Sequence, residues 1–216
     1  MYHHIRDYAA LDDPAARNLS VSPAELRSQM QYIRDQNYRV ITTEDIHDGT
    51  VPCRSIMLTF DDGYADIYSD AFPILQEYDF RGIVGVIIAY MDEPGYLTGG
   101  DIRSLQEHGW EIASHTWTHS FLTRTPIARF PHEIMESKQV LEDWFHIRVN
   151  TFIYPGGYYG PETLRSVQNA GYSYAFSARG GQATLTSPYE MKRINMLPGI
   201  TPEKLGQLIE SAKQPQ

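Results

Sequence analysis

The chain has 216 residues, a formal net charge of −9 and a sequence pI near 5.3. That acidity argues against nucleic acid or an anionic membrane as partner, and no apolar stretch approaches the roughly 20 residues of a membrane span. The one cysteine, Cys53, excludes an internal disulfide framework and a cysteine-built zinc cage.

A single domain over 1–216 is expected at this length, and it needs no staples to bury a core. The start, Met1-Tyr-His-His-Ile, carries no signal-peptide pattern, so a cytoplasmic place and a removed leader both remain compatible with it. No feature of the sequence sets an oligomeric state. Fifteen tyrosines and three tryptophans are many for this length; most are expected to be structural, although such rings also serve surfaces that stack on sugars.

In chain order, residues 1–5 read as the end of a strand and 6–21 as polar and irregular. Ser22-Pro-Ala-Glu25 then supplies an N-cap, a proline at the first helical position and the reciprocal glutamate of a capping box. Leu26, Met30 and Ile33 form the apolar stripe of that helix. Residues 38–42 and 55–60 read as strands, the second being a buried run of β-branched and aromatic residues. A helix is expected over 65–78, kinked or divided at Pro73.

Gly82 to Ala89 is a nearly continuous Val/Ile run of the kind covered on both faces. A glycine-containing loop (92–100) leads to a helix closed by Gly109, and Trp110 to Ser114 reads as the next strand. Beyond it come a loop through 120–130 and a helix near 131–146, then a strand at 150–154 ending at Pro155-Gly-Gly. A helix at 161–170, strands at 172–177 and 192–197, and a last helix opened by Thr201-Pro-Glu complete the chain. Seven or eight strands alternating with helices predict an α/β fold, a parallel barrel that is complete or distorted.

The chemistry-bearing residues stand at strand ends. Asp61 and Asp62 follow the 55–60 strand and are interrupted by Gly63; His115-Thr-Trp-Thr-His119 follows the 110–114 strand. In parallel α/β folds functional groups gather on that carboxyl-end face. Two histidines four apart are expected on one face of a helical turn, where both imidazoles reach one metal. Two histidines and one aspartate leave an open coordination position, as catalytic zinc requires. The other aspartate is then free to act as general base on a water. Asp, Asp, His and His together read as metal-assisted hydrolysis of an acyl compound.

These residues also resemble a known family. Thr59-Phe-Asp-Asp-Gly-Tyr64 and Ser114-His-Thr-Trp-Thr-His119 look like the first two motifs of the NodB-type polysaccharide deacetylases, carbohydrate esterase family four. Tyr2-His3, Ser22 to Ile46, Leu97 to Gly109 and Tyr154-Pro155 are similar to the branch that deacetylates poly-N-acetylglucosamine. The resemblance implies a distorted (β/α) barrel, often of seven strands. It implies Asp61 as general base, and Asp62, His115 and His119 as ligands of one divalent metal, most often zinc, with cobalt and nickel as alternatives. The implied partner is a glycan with N-acetylglucosamine units, which lose their acetyl groups. An extracellular or cell-envelope location is implied with it.

The match weakens past residue 150. The family's third motif has an arginine two places before its proline and an aromatic residue just after; here those places hold Ile153 and Gly156. Arg193 is the candidate to steady Asp61 in place of that arginine, and the Gly156 N–H the candidate oxyanion donor. The fifth motif's Leu-x-His is Leu197-Pro-Gly199, so the usual acid histidine is replaced; His3 or His4 is the candidate substitute. Leu197 is a candidate to line the acetyl methyl pocket, and Tyr158, with Tyr159, Trp117 and Tyr96, a candidate to stack on sugar. Two other readings fit the same residues: a hydrolase of small amides or imides on the same barrel, and a glycan-binding protein without turnover.

Overall fold

The computed structural model describes residues 1–49 and 51–214. Among them the chain forms nine short strands in which every pairing is parallel. The first part places β1 (His4–Ile5), α1 (Pro14–Asn18), β2 (Ser20–Val21), α2 (Pro23–Asp35), β3 (Arg39–Val40), α3 (Thr43–His47) and β4 (Ser55–Ile56) in order. Two small sheets result, β1 with β2 and β3 with β4. The remainder runs β5 (Thr59–Phe60), α4 (Phe72–Gln76), β6 (Ile83–Val86), α5 (Gly99–Glu107), β7 (Glu111–Ser114), α6 (Ser137–Phe145), β8 (Thr151–Ile153), α7 (Pro161–Asn169), β9 (Tyr174–Phe176) and α8 (Pro202–Ala212).

Strands β5 to β9 lie side by side in sequence order. Each successive strand is reached through a helical crossover, the connection that parallel neighbours require. The sheet curls. At one edge Tyr2 bridges Phe60; at the other Phe176 bridges Met191, and the Met196 N–H donates to the Met1 carbonyl at 2.9 Å. These links bring the two edges together into a distorted (β/α) barrel, the expected α/β class.

Local chemistry accounts for the helices that hold the sheet. Ser22 caps α2 while Glu25 reaches back to the Ser22 N–H at 2.7 Å. The stripe of Leu26, Met30 and Ile33 is fully buried, and each such side chain contributes roughly 1.5–3 kcal/mol by leaving water. Thr98 and Asp101 form the same reciprocal cap on α5, and Thr201 caps α8, which buries Leu205 and Ile209. All four residues of β6 are buried, as a strand covered on both faces must be.

Several expected elements differ. The 55–60 strand is two: Ser55–Ile56 pairs with β3, whereas Thr59–Phe60 pairs with β6, so the run changes neighbours at Met57–Leu58. The 38–42 strand contracts to Arg39–Val40. The 65–78 helix is a π-helical turn (Ile67–Ala71) followed by α4. Pro73 has no N–H to give and its ring crowds the preceding turn, which widens to accommodate it. Pro131 opens a second π-helical stretch, Pro131–Glu136, ahead of α6.

The 192–197 segment is not a strand. Its N–H groups go to separated partners, Arg193 to the Arg179 carbonyl and Met196 to Met1, and no ladder forms. The 6–21 stretch holds α1, capped by Asp13, and β2 rather than being wholly irregular. Among the described residues no helix is long and apolar enough to cross a membrane.

Candidate active site

Asp61 and Asp62 leave the end of β5, and His115 leaves the end of β7, two strands away across β6. Gly85 on the intervening strand permits their approach. A Cβ there would lie 3.0 Å from Ile153 Cδ1, which would have to give way slightly, and 3.4 Å from His115 Cβ, in direct contact with it.

The structure brings Asp62, His115 and His119 together, with one potential ligand atom from each lying within 4.8 Å of the others. Asp62 Oδ1 is 3.2 Å from His115 Nε2 and 3.2 Å from His119 Nε2. The histidines do not share a helical turn, as their spacing predicts. Residues 115–119 form an irregular turn in which Thr116 and His119 hold left-handed φ values of +68° and +61°. Convergence therefore comes from a specific loop conformation and not from helical periodicity.

The donor set fits a cation. His115 Nδ1 is 2.8 Å from the Ile153 carbonyl, which only accepts, so that nitrogen carries the hydrogen. In the neutral ring Nε2 then presents its lone pair to Asp62 Oδ1. Lone pairs that face one another at this distance call for a positive charge between them, a proton or a metal ion. Burial opposes charge on His115, yet the Asp62 hydrogen bond and the two carboxylates overcome it and raise its pKa. Asp62 is correspondingly driven well below the usual carboxylate range: burial would raise it, and the hydrogen bonds from His115 and His119 dominate. The Ile153 carbonyl that fixes the tautomer is the kind of outer contact that orients metal-binding imidazoles. Being backbone, it has no side-chain signature in the sequence.

Asp61 faces a different partner. Arg193 Nη1 donates to Asp61 Oδ1 at 2.6 Å and Nη2 to Oδ2 at 2.8 Å, a two-pronged pair buried on both sides. The guanidinium is itself held by the Ser177 carbonyl (2.8 Å from Nε) and by the Thr59 hydroxyl (3.1 Å from Nη1). Burial alone would raise the Asp61 pKa; Arg193 outweighs it and keeps the carboxyl below its ordinary value. Asp61 is thus an ionised acceptor beside the three-residue cluster.

His3 lies in the same electrostatic neighbourhood. Burial depresses its imidazole pKa, with Asp61 and Asp62 pulling it up and Arg193 and His115 pushing it down. His4 points elsewhere: its Nδ1 is 2.6 Å from Asp66 Oδ2 and its ring stacks on Tyr64 at 3.5 Å.

Gly156 follows β8 with φ +63°, and a Cβ on it would meet the Phe121 ring at 2.7 Å. Tyr158 is 59 % exposed and stands edge-on to Phe121, ring centroids 6.0 Å apart. Phe121 in turn lies 5.9 Å from the His119 ring. Phe121 is a residue the sequence pattern left unmarked; its position two places after His119 was the available signal. Leu197 is half exposed, so it is not core. Trp117 lies tilted against His132 and Tyr159 against Tyr154, while Tyr96 stacks on Tyr64 and lies tilted against Tyr90.

A largely buried Asp-His-His cluster that could hold a metal ion, with an arginine-paired aspartate beside it, thus stands at the carboxyl ends of parallel strands. The family model described as polysaccharide deacetylase matches residues 48–175, more than half of the chain. The chain belongs to the polysaccharide deacetylase family. It is similar to the Streptococcus pyogenes deacetylase PplD, solved in complex with acetate, at 26 % identity and TM-score 0.90, covering 97 % of this chain and 96 % of that one. BC0361, a polysaccharide deacetylase from Bacillus cereus, aligns at 26 % identity and TM-score 0.86 over 96 % of this chain and 67 % of that one. The poly-beta-1,6-N-acetyl-D-glucosamine N-deacetylase of Staphylococcus aureus is 24 % identical, over 89 % of this chain and 76 % of the relative.

Proposed function

We propose that this protein is a metal-dependent hydrolase that removes N-acetyl groups from an N-acetylglucosamine-containing polysaccharide. The observation that carries the reading is the placement of Asp62 Oδ1 at 3.2 Å from both His115 Nε2 and His119 Nε2, next to an Asp61 carboxylate held by Arg193. Asp62, His115 and His119 would hold the ion, zinc being the first choice for one carboxylate and two imidazoles, with cobalt and nickel as substitutes. A divalent ion at that place supplies Lewis acidity to the acetyl carbonyl and acidity to a water.

The chain's own residues do the rest. Asp61, ionised and fixed in orientation by the Arg193 fork, takes the proton from water as its oxygen adds to the acetyl carbon. The Gly156 N–H is the donor assigned to the oxyanion, a contact of about 3 kcal/mol in comparable sites. His3 is the group assigned to protonate the amine nitrogen as the C–N bond breaks, releasing acetate and a glucosamine unit. Tyr158, standing exposed beside Phe121, offers a face for a sugar ring, and Leu197 an apolar contact for the acetyl methyl.

The likeness to the Staphylococcus aureus enzyme supports a β-1,6-linked N-acetylglucosamine polymer as substrate, and with it a place of action outside the cytoplasm. The test is acetate release from β-1,6-linked N-acetylglucosamine oligomers by purified protein supplied with zinc, cobalt or nickel. Release that Asp61→Asn abolishes is the expected result. No release with any of the three ions, on these oligomers or on chito-oligomers, overturns the reading.

A further inference from the structure

The turn bearing the two histidines needs a restraint. Left-handed φ at both Thr116 and His119 is a conformation that residues with a Cβ rarely adopt. His115 is tied down by its own bond to the Ile153 carbonyl. His119 is not: its side chain is 30 % exposed, and among the described residues none hydrogen-bonds its Nδ1. Its aim therefore depends on the backbone that precedes it.

That backbone is gripped by Glu133, which is fully buried and comes from the π-helical stretch Pro131–Glu136. Glu133 Oε2 accepts the N–H of Trp117 at 3.1 Å and the N–H of Thr118 at 2.9 Å. Oε1 accepts the Thr118 hydroxyl at 2.8 Å and the Ser120 hydroxyl at 3.3 Å. The Arg129 guanidinium stands 3.6 Å from Oε1 on the outer side. Three donors from the two residues before His119 thus converge on one carboxylate, and the Ser120 hydroxyl just after it joins the set through Thr118 Oγ1 at 2.7 Å. Both carboxylate oxygens accept, so the two N–H groups meet an acceptor at Oε2 and the Thr118 hydroxyl one at Oε1. An amide would keep the two N–H bonds through its oxygen while the hydroxyls turn to accept from its NH2; an apolar side chain of the same length would lose all of them. Widened helical turns of this kind recur at functional sites.

We infer that Glu133 is a positioning residue for the metal centre: through Trp117, Thr118 and Ser120 it sets the turn that directs His119 Nε2 at Asp62. The inference rests on the metal-dependent reading of the site, and the following measurement separates the two. Metal-free protein is titrated with cobalt(II) and followed by its visible d–d absorption, which reports affinity and ligand geometry without turnover; thermal melting of the metal-free protein is recorded in parallel.

Wild type is expected to bind one equivalent and His119→Ala to lose that binding. Glu133→Met, which keeps the length but removes every acceptor, is expected to bind at least tenfold more weakly, with an altered d–d envelope, the size of effect usual for outer contacts of metal ligands. A Glu133→Met protein that melts earlier but binds cobalt with wild-type affinity and spectrum makes Glu133 merely structural and overturns the inference. If Glu133→Met does not fold, Thr118→Val/Ser120→Ala takes its place, removing both hydroxyls: severalfold weaker binding supports the inference and an unchanged affinity and spectrum overturns it. A wild type that takes up no cobalt overturns the metal reading itself, and this inference with it.

Discussion

Arg193 and Asp61, 132 residues apart in the chain, form a buried two-pronged ion pair with N–O distances of 2.6 and 2.8 Å. The pair ties the loop after β9 to the end of β5 and settles the orientation of the carboxylate assigned as base. Removing one member of a buried pair leaves the other charged and unsolvated, which costs about 3–5 kcal/mol. Arg193→Met is therefore expected to destabilise the protein by that order, raise the Asp61 pKa and cut acetate release at neutral pH by 100-fold or more. Arg193→Lys restores charge without the fork and should recover only part of either loss. Denaturant melts and kcat/KM together check this; wild-type values for Arg193→Met would dismiss the role.

Neighbouring histidines separate the assignment of the proton donor. His3 shares the field of Asp61, Asp62, Arg193 and His115, whereas His4 is committed to Asp66 and Tyr64. His3→Ala is expected to lower kcat by about 10²–10⁴ with metal content unchanged, and His4→Ala to change kcat by no more than a few-fold. Turnover unaffected by His3→Ala would remove it from the mechanism.

The residues at strand ends were legible because alternating and buried runs announce where β5 and β7 stop, and functional groups in parallel folds follow those stops. The manner in which His115 and His119 converge was not. Their spacing predicts a helical turn, but left-handed residues enforced by contacts from a distant helix set the real geometry. The 55–60 run shows a related limit: its burial is visible in its composition, while its change of partner from β3 to β6 depends on where those strands lie. Pro73 and Pro131 do mark helix disruption locally; that the disruption takes π-helical form depends on what the widened turn packs against. The family resemblance, and no spacing rule, points Arg193 to Asp61, since the contact exists only once the sheet has curled. Nor does a backbone carbonyl such as that of Ile153 leave any trace in side-chain chemistry.

At the opposite end of β7 from His115, Glu111 accepts the Thr43 N–H at 2.8 Å and the Thr43 hydroxyl at 2.7 Å, pinning the first turn of α3. Burial raises its pKa, and the bonds from Thr151 and Thr43 offset this only in part. A carboxyl whose folded pKa lies above its unfolded one favours the fold fully below the unfolded value of about 4.3. That contribution is lost as pH rises through the raised folded value. Glu111→Gln removes the dependence, so its stability relative to wild type should improve from pH 4 to pH 8. Urea melts across that range check the sign; a relative stability that falls with pH would contradict it.

The central claim is that Asp62, His115 and His119 close on one divalent ion while Asp61 stays off it. Crystals grown with zinc and measured on both sides of the zinc absorption edge test this most directly. The account predicts one anomalous peak at about 2.0–2.2 Å from an Asp62 oxygen and from both Nε2 atoms, with Asp61 still paired to Arg193. No peak between those three side chains, or a peak bound by Asp61 in place of Asp62, would contradict it.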